Sequence, residues 1–519
     1  MSFEGAPPRS VSTPPPALRL ADLVRELPGA VLVGGEGAGS AIVTGVHHDS
    51  RKVEPGDLFV ARPGGRVDGA AFVAEAARRG AVAVLAAPGA LRDSPLPVIE
   101  YADVPLGLAL ASSAVYGHPT FGLDVVGITG TNGKTTTSRL VRAALAAHGH
   151  SVGLIGTLGH ELGDDHWPAS HTSPEADELM RIARAMQAKG ASHLVMEVSS
   201  IALAARRMDG VRFRVAAFTN LTQDHLDYHG TMEAYAEAKA RLFTELGPSA
   251  VVLHTGDAFG RALRPRIAQG VELVDYDARV ESDAAVRPTR VSLGPAGIEL
   301  AVHTPKGALE LRSPLVGAHN VENLLCAVAI ALVLEVPLEA VARGLSSDVS
   351  VPGRLERCDD PSLDDVTVLV DYAHTPDALA RVLETVRPFT AGSVVCVFGC
   401  GGDRDPAKRP LMGEAAGRLA DHCVLTNDNP RSEEPMAIAR AVLPGLEAAG
   451  ARYLVELDRR AAIDGAIRRA APGDLVLIAG KGHETYQIVG DHTSDFDDRV
   501  EAREALARRR YIRAGKGIA

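Results

Sequence analysis

A nearly unbroken apolar run, Leu123-Asp-Val-Val-Gly-Ile-Thr129, passes straight into the turn Gly130-Thr-Asn-Gly133. Lys134-Thr-Thr136 then opens an amphipathic helix. A buried strand, a glycine turn and a helix in that order begin a βαβ unit, which commits this part of the chain to a mostly parallel sheet covered by helices. Glycines let backbone N–H groups close around phosphates, and the helix N-terminus adds positive potential. Gly130, Thr131, Asn132, Gly133, Lys134, Thr135 and Thr136 therefore form a candidate ATP-phosphate cradle. In it Lys134 reaches the β/γ-phosphates and Thr135 takes Mg²⁺. The strict pattern would place a glycine at position 128, which is Ile, so this is a variant loop. Nucleotide binding follows from it, but the reaction does not, because motors, switches and ligases share such loops.

The alternation continues on both sides of the loop. Residues 1–16 are rich in Pro and Ser, have no apolar core of a signal peptide and read as a disordered tail. Residues 17–121 read as a small α/β domain with strands at 41–46, 57–61 and 81–86 and a helix at 70–79; Tyr116–Gly122 makes a linker. Residues 122–350 hold the phosphate loop, a helix over 135–148, and strands at 152–155, 193–198, 216–220 and 251–254. Residues 351–519 read as a second doubly wound domain with strands at 367–371, 393–399, 422–426 and 475–479. The fold class is α/β in three domains: a small N-terminal α/β domain, a central P-loop ATPase-type parallel sheet and a C-terminal Rossmann-like domain.

Composition narrows the partners. The 519 residues carry a formal charge of −11 and no Lys/Arg block, which argues against nucleic acid and anionic membranes. The longest apolar run, Leu324–Leu334, is too short to span a bilayer, which takes about 20 residues. Five cysteines without paired spacing read as reduced, buried thiols. The expectation is a cytoplasmic monomer acting on small molecules.

From the variant loop onward the chain resembles the Mur ligase family, which joins amino acids to UDP-muramoyl peptides and is related to folylpolyglutamate synthase. The motifs from about residue 41 to the C-terminus fall in family order. Met196-Glu-Val-Ser-Ser200 ends a strand where the family places a Mg²⁺-binding glutamate, here Glu197. His225, in Asn220-Leu-Thr-Gln-Asp-His225, matches the second metal ligand, although Mg²⁺ prefers oxygen donors. Lys239 aligns with a lysine that is carbamylated (N6-carboxylysine) and bridges to Mg²⁺. The resemblance thus implies Lys134, Glu197, His225 and Lys239 as catalytic, with Thr135, Glu197, His225 and the Lys239 carbamate around the metal. Gly317-Ala-His-Asn320, Val351-Pro-Gly-Arg354 and Asp371-Tyr-Ala-His374 match further motifs, implying Asn320, Arg354, Tyr372 and His374 near ATP.

Within the family, His48-Asp-Ser-Arg-Lys-Val-Glu-Pro-Gly-Asp-Leu-Phe-Val60 is similar to the UDP-binding domain of the third-step ligases. That match implies Ser50, Gly65, Arg66 and Val67 against the UDP-sugar, and Thr172, Ser173, Ser199 and Arg207 against the muramoyl dipeptide. Gly399-Cys-Gly-Gly-Asp-Arg404, Asp428-Asn-Pro-Arg431 and Gly480-Lys-Gly-His-Glu484 resemble diaminopimelate-adding members. They imply Arg404, Asp428, Asn429, Pro430, Arg431, Gly480 and Glu484 around the incoming amino acid, with Arg431 presented by an Asn-Pro turn. Four positions depart from the pattern. Ile201 replaces a His, Ala205 a substrate-touching Gln, Ser173 a Thr, and His254 an Asn on the ATP side.

The implied reaction is phosphorylation of the D-glutamyl γ-carboxylate of the UDP-muramoyl dipeptide by ATP, followed by attack of the diaminopimelate amine on the acyl phosphate. The meso form is the first expectation; the LL form offers the same groups with different handedness. The alternatives are a lysine-adding relative, a folylpolyglutamate synthase-like ligase, and a P-loop protein that binds ATP as a switch.

Overall fold

The structure is a computed structural model that describes residues 17–64, 68–169, 171–294, 297–347, 349 and 351–515. The Pro/Ser-rich segment 1–16 lies outside the described residues. The chain divides into two compact units, the first made mainly of residues 17–289 and 323–345 and the second mainly of residues 346–515.

The first unit holds two large sheets. A five-stranded sheet runs in the order Val31–Val33, Val98–Glu100, Ala83–Ala86, Asp57–Val60, Gly45–His47, parallel except at the Val31–Val33 edge. An eight-stranded sheet places the loop strand Asp124–Thr129 between His193–Glu197 and Val215–Phe218. Val152–Gly156, Ala250–His254 and Glu272–Tyr276 extend it in parallel, and a hairpin of Gly159–Leu162 and Asp165–Trp167 closes one edge. Helix Lys134–Ala147 follows the loop strand; its buried face includes Leu140, Val141, Ala144 and Leu145.

The second unit is built on a six-stranded sheet in the order Glu356–Arg357, Thr367–Asp371, Leu475–Ala479, Val394–Phe398, His422–Leu425, Tyr453–Val455. All its neighbouring strands are parallel except the Glu356–Arg357 edge. Alternate residues feed two cores, Val368, Val370, Val397 and Ile478 on one face and Leu369, Cys396, Phe398 and Leu477 on the other. That doubly covered parallel sheet is the expected Rossmann-like arrangement. The five cysteines are free and buried.

Most strand and helix expectations agree with the structure within about two residues. Two do not. The expected strand 41–46 is two strands, Ile42–Val43 and Gly45–His47, in different sheets. Thr44 between them donates its N–H to Gly56 instead of continuing a ladder. The expected helix 70–79 starts as a 3₁₀ turn, Gly69–Phe72, and is α-helical only over Val73–Arg78. Gly69 packs so closely on Arg62 that an added Cβ would stand 2.6 Å from its backbone nitrogen, which ties the first turn down. A three-stranded sheet of Arg287–Gly294, Gly297–Thr304 and Gly307–Ser313 has no counterpart in the sequence expectations. Among the described residues no helix is long and apolar enough to cross a membrane.

Candidate active site

Strands that run parallel end on the same edge of their sheet, and the loops that leave that edge are where α/β folds place ligands. In the central sheet the loops after Asp124–Thr129, His193–Glu197 and Val215–Phe218 leave together. Gly130 has φ +153°, and a Cβ there would strike Thr219 Oγ1 at 1.9 Å. Gly133, at φ +86°, caps helix Lys134–Ala147. The glycines are therefore required by close approach and by left-handed backbone, as a phosphate cradle demands.

Two lysines converge on this loop. Lys134 Nζ donates to the Gly130 carbonyl at 2.8 Å and to the Thr131 carbonyl at 2.9 Å. Lys239 Nζ donates to the same Gly130 carbonyl at 3.0 Å and sits 4.3 Å from the centre of the Tyr235 ring. Lys239 is only 1% exposed and has no ion-pair partner among the described residues. Burial, then the positive Lys134, holds its ammonium pKa well below the usual lysine range.

Glu197 is its electrostatic counterpart. Its carboxylate is 2% exposed and accepts three hydrogen bonds: Thr135 Oγ1 to Oε2 at 2.9 Å, Thr157 N–H to Oε1 at 2.9 Å and Thr157 Oγ1 to Oε2 at 3.1 Å. No cationic side chain pairs with it among the described residues, and a buried carboxylate in that state calls for a cation. The Thr135 hydroxyl and Glu197 carboxylate are the hard oxygen donors that Mg²⁺ takes, so the residues fit that ion. No cluster of three or more His, Cys, Asp or Glu side chains suited to a metal occurs among the described residues. His225 has a left-handed backbone (φ 53°) and is half-exposed. Burial pushes its pKa down; Asp224 opposes this, and Lys134 and Lys239 reinforce it.

The residues expected at the muramoyl dipeptide form one net with this site. Thr157 Oγ1 donates to Thr172 Oγ1 at 3.0 Å, and Ser173 Oγ donates to the Glu197 carbonyl at 2.9 Å. Ser199 N–H donates to Ser173 Oγ at 2.9 Å, and Arg207 Nη1 to the Ser173 carbonyl at 3.1 Å. Arg207 Nη2 pairs with Glu175 at 2.7 Å, while its buried Nε has no hydrogen-bond partner among the described residues. Ser50 is not brought into this net; its hydroxyl donates to Glu75 at 2.9 Å. Gly65, Arg66 and Val67 lie outside the described residues. The link from the N-terminal sheet is made by residues the sequence reading passed over. His48 Nδ1 lies 2.9 Å from Asp177, and Arg62 donates to Glu175 at 3.0 Å. Burial opposes a charged His48, but the Asp177 charge and hydrogen bond outweigh it and raise its pKa. The departing His254 has a structural role. Its ring stacks on Tyr276 at 4.8 Å and its Nδ1 meets the Thr219 carbonyl at 2.8 Å.

In the second unit, four motif loops leave the ends of four parallel strands: Thr367–Asp371, Val394–Phe398, His422–Leu425 and Leu475–Ala479. After the first, Tyr372 is ringed by His374 at 4.6 Å, His483 at 4.9 Å and the Arg354 guanidinium at 4.8 Å. Asn320 turns its amide onto the Val316 carbonyl at 2.8 Å. After the third, Arg431 is held at φ 51°. Its N–H donates to Ile488 O at 3.1 Å, and its carbonyl accepts from Gly490 N–H at 2.7 Å. Such a backbone costs roughly 1–2 kcal/mol for a side-chain-bearing residue and persists only where neighbours impose it. Arg431 Nη1 donates to Gly402 O at 2.7 Å, and Arg404 Nη1 to Asp403 O at 3.1 Å. A Cβ built on Gly401 would lie 3.0 Å from Arg431 Nη1 and 3.8 Å from Arg404 Cγ, so both arginines border that glycine. Asn429 Nδ2 donates to Glu484 Oε2 at 2.8 Å. Gly480, at φ +116°, lies against Asp428, whose Oδ2 would be 2.6 Å from a Cβ there. Arg404, Asp428, Asn429, Arg431, Gly480 and Glu484 thus gather around one set of strand ends, with Pro430 between Asn429 and Arg431 in the turn.

Sequence comparison covers the same three regions. Residues 42–108 match the Mur ligase family catalytic domain, 128–331 the Mur ligase middle domain, and 353–482 the Mur ligase glutamate ligase domain. A relative from Synechococcus elongatus, a UDP-N-acetylmuramoyl-L-alanyl-D-glutamate–2,6-diaminopimelate ligase, is 46% identical over 95% of this chain and 99% of its own. A solved structure of a ligase with that same name aligns with TM-score 0.68 and 32% identity, over 95% of this chain and 99% of that one. A MurF ligase from Thermotoga maritima solved with ADP shares the fold at TM-score 0.60 and 18% identity, over 90% and 98% of the two chains. The chain belongs to the Mur ligase family.

Proposed function

We propose that this protein is an ATP-dependent ligase of peptidoglycan synthesis that adds 2,6-diaminopimelate to the D-glutamyl γ-carboxylate of UDP-N-acetylmuramoyl-L-alanyl-D-glutamate. The observation that carries the amino-acid assignment is the clamped Arg431 beside Arg404, with Glu484 in the same cluster of strand ends. Diaminopimelate is lysine with an extra carboxylate beside its distal amine. A planar guanidinium holds such a carboxylate bidentately, and Glu484 is an acceptor for the neighbouring ammonium. Lysine has one carboxylate to hold and diaminopimelate has two, so a second arginine finds its anion only in diaminopimelate. The near full-length relative from Synechococcus elongatus, which carries that activity in its name, supports the same reading.

In this reading the γ-carboxylate oxygen attacks the γ-phosphorus of ATP, the bond to the bridging oxygen breaks, and ADP leaves. The amine nitrogen then attacks the acyl carbon, the carbon–oxygen bond to phosphate breaks, and the amine loses a proton as the amide forms. Backbone N–H groups from Gly133 to Thr136 hold the phosphates, those of Thr131 and Asn132 being given to Asn220, and Lys134 moves from the loop carbonyls onto the transferring phosphoryl group. Electrostatic stabilisation of this kind supplies most of the barrier reduction in phosphoryl transfer. Thr135 and Glu197, with His225 and the Lys239 carbamate, would hold Mg²⁺, which would supply charge neutralisation on the phosphate oxygens. Lys239 suits carbamylation because the reaction needs a neutral amine: nitrogen adds to CO₂ and one proton is released. Arg207 and Ser199 hold the dipeptide end of the first substrate, and Ser50 with residues 65–67 takes the UDP-sugar. Tyr372, His374, Arg354 and Asn320 border the adenosine. The test is phosphate release from ATP in the presence of the UDP-muramoyl dipeptide and a panel of amino acids. Release should require both substrates and be strongest with diaminopimelate, the meso form ahead of LL; release without any amino acid would overturn the ligase reading.

A further inference from the structure

Lys481 is wholly buried, with no exposed side-chain surface. It stands between two glycines whose conformations aim it inward, Gly480 at φ +116° and Gly482 at φ +54°. Neither glycine can be replaced cheaply. A Cβ on Gly482 would come within 2.6 Å of the Tyr372 Cβ and 2.9 Å of the Gly353 carbonyl oxygen. The backbone therefore fixes where this ammonium sits.

Its contacts form a closed ring of three side chains. Lys481 Nζ donates to Glu484 Oε2 at 3.0 Å and to Asn429 Oδ1 at 3.2 Å, and Asn429 Nδ2 donates to the same Glu484 Oε2 at 2.8 Å. Ile488 N–H also donates to Asn429 Oδ1 at 3.0 Å, which settles which end of that amide points where. Both protein donors to Glu484 fall on one oxygen. Oε1 takes no hydrogen bond from any described residue, although the side chain is only 16% exposed. A carboxylate held this way offers one oxygen, in one direction, to whatever approaches.

We infer that Lys481 is a positioning residue of the amino-acid site, which pins Glu484 through Oε2 so that Oε1 is presented to the distal ammonium of the incoming diamino acid. This rests on the reading of Glu484 as the partner of that ammonium. Lys481 acts through Glu484 and touches no ligand. Replacing it removes a buried hydrogen-bonded charge partner, leaves Glu484 without its direction, and weakens binding of the distal amine alone.

The experiment compares two amino acids, diaminopimelate and 2-aminopimelate, which is the same chain without the distal amine. KM is read where the amino acid is joined and an inhibition constant where it is not. For Lys481→Met the diaminopimelate KM should rise about 30-fold or more, the low end of what losing a buried charge partner costs. The 2-aminopimelate constant and the KM for ATP should stay within about twofold of the parent. Should Lys481→Met not fold, Lys481→Gln, which keeps an N–H donor without the charge, should show a smaller rise confined to the same ligand. Equal rises for both amino acids, or no rise for diaminopimelate, would overturn the proposal. Glu484→Gln separates the two layers: if that variant binds diaminopimelate normally, the reading of Glu484 fails first; if it is impaired while Lys481→Met is not, only the role of Lys481 fails.

Discussion

The phosphate loop of the central sheet and the strand ends of the C-terminal sheet are both loop clusters on parallel α/β sheets, yet they handle charge in opposite ways. Around the loop two lysines are gathered, and neither Lys239 nor Glu197 has an ion-pair partner among the described residues. Lys134 and Lys239 share one backbone carbonyl, and Glu197 is buried with only hydroxyl and amide donors. Around Arg431 and Glu484 the charges are arranged in advance, Lys481 against Glu484 and Arg431 on a carbonyl of its own unit. The first arrangement suits ligands that carry large charge, such as the phosphates and divalent cation of the proposed reaction. The second suits a zwitterion, where net charge is near zero and direction decides affinity. In the proposed reaction, field strength would serve catalysis in one place and geometry would serve selection in the other.

The contrast can be tested from its strong end downward. Lys134→Ala removes charge where nothing replaces it, so kcat should fall several hundredfold, about 3–4 kcal/mol, with the KM of the UDP-substrate nearly unchanged in steady-state assays. Lys239→Ala should be almost inactive and partly restored by formate or acetate, which supply carboxylate oxygens; full activity without added acid would make Lys239 a purely structural lysine. Arg431→Ala should act on the other variable. Truncating one partner of a buried charge pair costs about 2–5 kcal/mol, and here it should appear mainly in the diaminopimelate KM while kcat changes little. Arg431→Lys should recover little, because a point charge lacks the fork.

The smallest effect concerns the tie beside the central site. His48 has a pKa raised above its ordinary value of 6.5, and Asp177 one lowered below 3.8. The His48 contribution to stability is therefore complete below about pH 6.5 and is lost as pH climbs through the raised value. The Asp177 contribution is present above about pH 4 and is lost as pH falls from there. Thermal stability of the parent should thus fall on the alkaline side, and His48→Leu should flatten that part of the profile. An unchanged profile in the variant would show that the tie carries no stability.

Much of this was legible in the chain itself, for reasons that differ by residue. The loop from Gly130 to Thr136 was readable because a strand, two obligatory glycines and a helix start are all local signals. The strands at 367–371 and 475–479 were readable because buried parallel strands are continuous apolar runs. Gly297–Thr304 carried a plain two-residue alternation of Ile298, Leu300, Val302 and Thr304, a signal present but passed over. The pairing of His48 with Asp177 spans 129 positions, and no local pattern encodes a contact of that range. Thr157 and Lys481 were hidden for another reason. A threonine after a strand and a lysine in a glycine-rich turn both resemble solvated loop residues until the fold sets the threonine on Glu197 and buries the lysine.

The central claim is that the second site is built for a zwitterionic distal end, and the most direct measurement is the ratio of kcat/KM for diaminopimelate to that for lysine. Sites with a buried polar partner can reject analogues lacking the matching group by as much as ~10⁴–10⁵-fold. The unmodified protein should favour diaminopimelate by at least ~10³-fold, and Arg431→Ala should lose most of that preference. Equal use of lysine and diaminopimelate by the unmodified protein would contradict the account.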